Sequence, residues 1–375
     1  MRLTMIDLCC GTGAFSIAAK KTGCFRTVYA NDVDPVCAEM FHSNFPRVKI
    51  DIRPIGQVDV DDLPTPHIDL ICAGAPCQPY SIEGKRQGLA DPRANVFRQI
   101  LMLAGQLRPR WLVCENVSGL LTMNGGAVFR TVRNNASKHL PGYQCAWQVY
   151  DTAKHTGIPH HRPRVYIIWF RDDSDFKAHQ FIVPQNVKLK PVSSVLQSVS
   201  AVQSQERANE EPFYYSGSNG RESAWSRRFL QTVRSPVHGT NVVYQRRRDG
   251  VRQNKSGMVP CLTASMSSVR EVPVIKDTHG VRMLTPRECF RLQGFSDTYK
   301  LPTTLRPSQL YKLAGNAVTV AVAELVLKSL VKKGGCKTSQ RASIEQIVSK
   351  STRRTRTPSI KRHRASKPGT RRRTQ

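Results

Sequence analysis

Over its first 170 residues the chain alternates short apolar, β-rich runs with helix-patterned stretches, and few folds accommodate that alternation. Met5–Cys9, Thr27–Asn31, Ile68–Ala73, Trp111–Glu115, Cys145–Asp151 and Val165–Phe170 read as strands. Between them, Phe15–Lys21, Pro35–Asn44 and Val96–Leu107 read as crossover helices. This order predicts an α/β fold, a doubly wound, largely parallel sheet over residues 1–170, which binds its ligands where the strands end.

The residues at those strand ends are the ones that carry chemistry. Asp7-Leu8-Cys9-Cys10-Gly11-Thr12-Gly13-Ala14-Phe15 closes the first strand, with Gly11 and Gly13 allowing a tight turn and close backbone approach to a ligand. Asn31-Asp32-Val33-Asp34 closes the second, and Asp32 stands about where a Rossmann-like fold places its ribose-binding carboxylate. The third glycine that packs a helix under a pyrophosphate is absent, so a nucleoside cofactor without a diphosphate, such as S-adenosylmethionine, fits better than NAD. Asp51, followed by Ile52, is an acidic position suited in this layout to an adenine amino group; standing alone it would read as an exposed loop aspartate.

The apolar run from His67 to Cys72 leads into Ala73-Gly74-Ala75-Pro76-Cys77-Gln78, which puts a thiol at the carboxyl edge of the sheet. Cysteine is often buried and inert, so Cys77 gains meaning only from its company. The next strand ends in Glu115-Asn116-Val117, which is expected to face Cys77 across one cleft. A thiolate beside a carboxylic acid suits nucleophilic attack on a ring that is protonated as it is attacked. A free thiol titrates at about 8.5, and nearby cations raise its thiolate fraction. His160-His161-Arg162-Pro163-Arg164 supplies such cations, with the two arginines on one face of the following strand.

The remaining chain divides by texture. From Arg171 to Ala264 periodicity fades and Ser, Gln, Asn and Arg accumulate, with Arg246-Arg247-Arg248 as a basic cluster; we expect a small irregular domain over 171–264. Residues 265–333 are expected to return to the α/β domain through a helix capped by Thr285, Pro286 and Glu288, and a last helix near Val318–Val331. Residues 334–375 are Ser/Thr/Arg/Lys-rich and are expected to be a basic disordered tail. With 57 Lys+Arg against 27 Asp+Glu, a formal +30, the chain favours a polyanionic partner, nucleic acid first. Eleven cysteines without a Cys-x-x-Cys pair fit reduced thiols in an intracellular compartment rather than a disulfide framework or a metal site. No secretory signal precedes the first strand and no apolar run approaches membrane-spanning length, so no membrane partner is expected.

Taken together, these segments resemble the DNA cytosine-5 methyltransferase family in order and spacing across residues 4–330. The glycine turn is Asp7–Phe15, the Pro-Cys-Gln is Pro76-Cys77-Gln78, the Glu-Asn-Val is Glu115-Asn116-Val117, and the Arg-x-Arg is Arg162-Pro163-Arg164. Arg287–Phe295 matches the Arg-Glu-Cys…Leu-x-Gly-Phe segment, and Gly315-Asn316-Ala317-Val318 the closing Gly-Asn-x-Val.

The resemblance implies that Cys77 adds to carbon 6 of a flipped-out cytosine in double-stranded DNA while Glu115 protonates ring nitrogen 3, with Arg164 and Arg162 steadying the charge. It implies S-adenosyl-L-methionine as cofactor, held by Asp7, Cys9, Gly11, Thr12, Gly13, Ala14, Asp32, Val33, Asp51, Ile52, Pro76, Val96, Asn316 and Val318. Gln78, Ser81 and Arg93 in the Gln78–Arg93 loop, and Arg246, Arg247 and Arg248 in the 171–264 target-recognition region, would meet DNA. A monomer without a metal, associated with DNA inside a cell, completes the expectation. The chain departs from the family at Cys9, usually phenylalanine, at Ala14, usually glycine, at Asp32, usually glutamate, and at His160, usually glutamine. Three alternatives remain open at this point. One is the transfer-RNA branch of the family, whose usual Cys-Phe-Thr is absent here. The others are an inactive DNA-binding protein on the same fold and a nicotinamide oxidoreductase.

Overall fold

A computed structural model describes residues 2–75, 94–209, 213–214, 242–247, 250–268 and 271–331. Pro76, Cys77, Gln78, Ser81, Arg93, Arg248 and the expected tail lie outside them. Arg246 and Arg247 are described only as backbone.

Seven strands form the main sheet: β1 (Leu3–Leu8), β2 (Phe25–Asn31), β3 (Lys49–Asp51), β4 (Leu70–Ala73), β5 (Trp111–Val117), β6 (Gln144–Asp151) and β7 (Pro163–Phe170). Their spatial order is β3-β2-β1-β4-β5-β7-β6. All neighbours are parallel except β7, which runs antiparallel to both β5 and β6. The chain order reverses between β1 and β4, so the crevice expected of a doubly wound sheet opens there. The short β3, ending at Asp51, was not legible in the sequence. Three residues leave too little alternation to recognise.

Central strands are buried on both faces, which is why they read as continuous apolar runs rather than alternating ones. Leu3, Met5, Leu70, Cys72, Trp111, Val113, Tyr166 and Ile168 line one face, and Ile6, Leu8, Ile71, Leu112, Cys114, Val165, Ile167 and Trp169 the other. The first face is covered by α1 (Ala14–Thr22). α2 (Pro35–Asn44) follows β2, with Asp34 capping it through Val36 N–H, and α3 (Ala94–Leu107) precedes β5. Helix α4 (Ala127–His139) had not been expected. Its buried Val128, Phe129, Val132 and Ala136 form a narrow apolar stripe on an otherwise polar, basic helix, and that stripe is hard to see among the charges. Short helices α5 (Thr152–Thr156) and α6 (Asp173–Ala178) flank β6 and β7, and α7 (Val199–Asn209) follows.

A second, four-stranded antiparallel sheet has the order β11-β10-β8-β9, with β8 Val243–Arg247, β9 Gly250–Gln253, β10 Val274–Lys276 and β11 Val281–Met283. The expected boundary at 264 falls inside this sheet, because β10 and β11 come from the stretch assigned to the return segment. That return proper begins at α8 (Pro286–Leu292). As the sequence predicts, Thr285 and Glu288 form a reciprocal capping box there, with Pro286 at the first turn. α9 (Pro307–Asn316) and α10 (Val320–Leu330) follow.

Pro307–Leu330 is, by length and composition alone, long and apolar enough to cross a membrane, contrary to the expectation that no such run exists. The stretch is two helices separated at Ala317–Thr319, and its Leu310, Leu313, Val322, Val326 and Leu327 are core residues of the sheet domain. α10 packs beside α1, where Lys21 and Glu324 pair at 3.1 Å, so both ends of the described chain meet as expected.

Candidate active site

One row of ladder partners crosses the main sheet at its carboxyl edge: Asp51, Asn31, Leu8, Ala73 and Cys114. The next residue on each strand is Ile52, Asp32, Cys9, Gly74 and Glu115. β1 to β4 stop at this level and β5 runs three residues further, so five motifs far apart in the chain lie side by side.

The glycine turn is braced from several sides. Asp7 points to the α1 face, where its Oδ2 accepts from Ser16 N–H (3.1 Å) and Ser16 Oγ (2.7 Å), so its side chain caps the helix from below. Among the described residues its Oδ1 and the Thr12 hydroxyl are buried without a hydrogen-bond partner, and burial pushes the Asp7 carboxyl up to about 7. Asp32 accepts from Gly11 N–H at 2.8 Å and Asp34 N–H at 3.0 Å, and burial raises its carboxyl above the usual range. Gly13 holds φ at 71°, and a Cβ there would come within 2.9 Å of Phe41 and Phe45, so only glycine fits. Cys9 also sits at positive φ, 50°, an unusual conformation for a side-chain-bearing residue. Ala14 is buried in the first turn of α1.

These residues suit a nucleoside cofactor. Val33 and Ile52 expose their apolar side chains (59% and 56%) beside Asp32 and Asp51, as a flat apolar base requires. Open space surrounds the position a Gly11 side chain would take, and the two orphaned polar atoms offer further partners. Asp51 has a different environment from the one expected. Its carboxylate already accepts from Tyr29 OH (2.9 Å) and from Arg53 N–H, Nε and Nη2. The Arg53 bonds, chiefly, hold it down at about 2. Val96 is half-buried in the same apolar cluster as Cys9. Val318 approaches Gly74 closely, whereas Asn316 is exposed at the end of α9.

Glu115, Arg164 and Arg162 lie on one face. Glu115 opposes Tyr166 in the β5–β7 ladder and Val117 opposes Arg164, so Glu115 and Arg164 are diagonal neighbours. Arg164 Nε lies 3.4 Å from Glu115 Oε1. Burial raises the Glu115 carboxyl above its ordinary value, against the opposing pull of Arg164 and Arg162, and Oε1 accepts no hydrogen bond among the described residues. Arg162 has a different role from its neighbour. Its Nη1 donates to Leu262 O (2.9 Å) and its Nη2 to Ala317 O (2.8 Å), tying the segment after β9 to the end of α9. Asn116, next to the acid, donates to Ala75 O at 3.4 Å and so links the ends of β4 and β5.

Several residues shape the site through contacts that the sequence did not reveal. Buried His160, grouped in the sequence with the cations near Cys77 and noted as a departure from the family, takes Leu262 N–H on Nε2 at 3.2 Å and pairs Nδ1 with Leu292 O at 3.2 Å. Burial, with Arg162 and Arg164 nearby, holds its imidazole far below the usual value, so the ring is neutral and not one of the cations expected there. Tyr299 donates to Thr12 O at 2.7 Å and fixes the glycine turn from the return segment. Gly315 lets α9 approach so closely that a Cβ would lie 2.1 Å from Thr263 O. Such partners come from distant segments, and no local pattern announces them.

Comparison with known proteins gives the family. The family model of C-5 cytosine-specific DNA methylases matches residues 3–332. The Type II methyltransferase M.Bsp6I of Bacillus sp. (strain RFL6) is 32% identical over 332 residues, spanning 88% of this chain and 99% of the relative. The Type II methyltransferase M.HaeII of Haemophilus aegyptius is 30% identical over 329 residues, spanning 87% and 92%. Among solved structures, a putative DNA modification methyltransferase from an E. coli prophage superposes with a TM-score of 0.61 at 20% identity, covering 88% of this chain and 98% of that one. The S. pombe Dnmt2 methyltransferase superposes at 0.58 and 18% identity with the same coverage, and both show the shared fold. The chain belongs to the C-5 cytosine-specific DNA methylase family and is a DNA (cytosine-5-)-methyltransferase.

Proposed function

We propose that the enzyme methylates one cytosine of a short duplex sequence, in the manner of a Type II modification methyltransferase, through a covalent adduct on Cys77. The observation that carries this reading is the Glu115 carboxyl. It is buried, raised by burial, without a hydrogen bond at Oε1 among the described residues and ion-paired there with Arg164, where the ends of β4 and β5 meet. Cys77 follows the last described residue after β4 by two positions.

The target base is flipped from the duplex. Thiolate addition of Cys77 to carbon 6 pushes electrons toward ring nitrogen 3, where Glu115 gives its proton, so carbon 5 becomes nucleophilic without a full negative charge on the ring. Arg164 holds the carboxyl in place and offsets the negative charge Glu115 acquires. S-adenosyl-L-methionine, when bound, supplies the methyl group on its sulfonium. Removal of the carbon-5 proton then expels the Cys77 thiolate, and return of the ring-nitrogen-3 proton to Glu115 restores the neutral ring.

The residues suited to the cofactor are Asp32 toward the ribose hydroxyls, Val33 and Ile52 around the adenine, and the Gly11–Gly13 turn for the methionyl end, with Pro76, Val96 and Val318 lining the cavity. Asp51 would act on the base only if Arg53 yields one of its bonds. Gln78, Ser81, Arg93 and Arg246–Arg248 are proposed to meet DNA, the last three from the recognition region. We further propose an intracellular, DNA-associated monomer.

Labelled methyl transfer from S-adenosylmethionine to duplex DNA and to tRNA, with Cys77→Ala as control, tests the reading. DNA labelling that vanishes in the control is expected; transfer to tRNA alone would overturn it. A duplex carrying 5-fluorocytosine at the target should trap the Cys77 adduct, because fluorine cannot leave as the proton does.

A further inference from the structure

Cys261 has no place in the mechanism above, yet its sulfur meets both active-site arginines. Arg162 Nη1 and Arg164 Nη2 each approach Cys261 Sγ at 3.5 Å, and the thiol itself donates to Leu262 O at 3.5 Å. The segment that carries it is pinned to the sheet domain. Val259 N–H donates to Pro159 O (2.7 Å), His161 N–H to Val259 O (2.9 Å), and Leu262 N–H to His160 Nε2 (3.2 Å). On its far side, Thr263 abuts Gly315. The sulfur is thus a fixed acceptor rather than a mobile one.

Its effect falls on Arg164. That guanidinium donates Nη1 to Pro163 O at 2.8 Å and Nη2 to Cys261, an arrangement that turns Nε toward Glu115. We propose that Cys261 is a positioning residue for methyl transfer: by anchoring Arg164 it sets where the Glu115 carboxyl sits and how readily it gives its proton. The inference rests on the acid role of Glu115 proposed above. Among the described residues, the charged or titratable groups facing Glu115 are Arg164, Arg162 and Tyr166, and those facing Cys261 are Arg162 and Arg164. The two arginines lower the Cys261 thiol despite its burial, so the sulfur strengthens as an acceptor when it ionises.

The test compares full-length wild type with Cys261→Ala and Cys261→Ser, reading kcat, both KM values and the pH–rate profile. A serine hydroxyl accepts from two donors and donates once, which reproduces the thiol's bonds; alanine offers none. The limb of the profile that disappears in Glu115→Gln identifies the Glu115 titration. In Cys261→Ala we expect kcat to fall about tenfold, a fraction of what a positioned acid supplies. KM for DNA and cofactor should stay within about twofold, and the Glu115 limb should move to higher pH because Arg164 is no longer held beside it. Cys261→Ser should restore both. An unshifted limb in Cys261→Ala, whether or not kcat falls, would overturn the proposal, as would a serine variant no better than alanine. If Cys261→Ala melts far below wild type, Cys261→Val, which fills the space without an acceptor, carries the same comparison. Full activity in Glu115→Gln would instead sink the acid mechanism itself, so the two failures are told apart.

Discussion

Arg164 Nε lies 3.4 Å from Glu115 Oε1, a diagonal contact between antiparallel strands whose direct ladder pairs are Glu115–Tyr166 and Val117–Arg164. The contact exists because β7 enters the sheet between β5 and β6 against the direction of the other strands. That insertion brings the start of β7 to the end of β5, at the carboxyl edge where β1 to β4 also finish. A parallel strand in the same place would put its arginine at the far edge. The acid and its cation are therefore a consequence of the one reversal in the sheet.

Replacing Glu115 by Gln keeps the shape and a hydrogen-bond donor but removes the transferable proton. We expect kcat to fall by about 10²–10⁴-fold, the usual range for general acid–base catalysis, with DNA binding within a fewfold of wild type. Single-turnover methylation and fluorescence anisotropy on the same duplex measure the two. A variant that loses binding and rate in parallel would show that Glu115 serves recognition instead.

Arg162 and Arg164, one residue apart, should fail differently. Arg162 is 3% exposed and bonds two carbonyls, Leu262 O and Ala317 O, that a lysine cannot span together. Arg162→Lys leaves a buried acceptor unpaired, costing about 1–3 kcal/mol, and should appear first as a lower melting temperature. Arg164→Lys should melt near wild type and lose kcat. Melting curves and turnover of the two variants side by side decide it; equal losses of stability would refute the separation.

Asp7 makes stability depend on pH. Its carboxyl titrates at 3.8 when free and at about 7 when buried beside Ser16. Between those values the folded chain holds a proton that the unfolded chain has released. The stabilisation is therefore complete below about pH 4 and is lost as pH rises through 7. Asp7→Asn keeps an oxygen for Ser16 and has no charge to bury. Its melting temperature relative to wild type should climb from pH 4 to pH 8. Parallel melting curves across that range would contradict the assignment.

Much of this site was legible because each motif is local: a glycine turn, an acid after a strand, two arginines spaced by one. The sequence could place Asp32, Val33, Glu115 and Arg164 at strand ends because hydrophobic runs mark where strands stop. It could not divide the labour between Arg162 and Arg164, since both obey the same alternation and only the carbonyls of Leu262 and Ala317, 100 and 155 residues away, distinguish them. Asp51 shows the same limit. Its carboxylate looked available to an adenine until Arg53 and Tyr29 filled it, and neither partner belongs to a recognisable motif. The small sheet was missed because β8 to β11 are three to five residues each and its two halves join only where β8 pairs with β10 across a gap in sequence.

The strongest test of how that small sheet joins the catalytic domain lies at Arg282. Its side chain is fully buried, with Nη1 and Nη2 on the two Glu288 oxygens at 2.8 Å each and Nε on Asp277 Oδ2 at 2.7 Å. Glu288 in turn takes Thr285 N–H in the α8 capping box and Gln197 N–H, so one carboxylate serves β11, α8 and the segment before α7. Removing one partner of a buried pair strands the other charge, which costs about 3–5 kcal/mol. Arg282→Met should therefore lower the urea midpoint sharply, and Glu288→Ala more than Glu288→Gln, because glutamine still accepts from Thr285. Each midpoint should fall without a change in the steepness of the transition, as for loss of stability in an unchanged fold. A shallower transition, with the small sheet melting before the rest, would mean that Arg282 couples two units that can unfold separately.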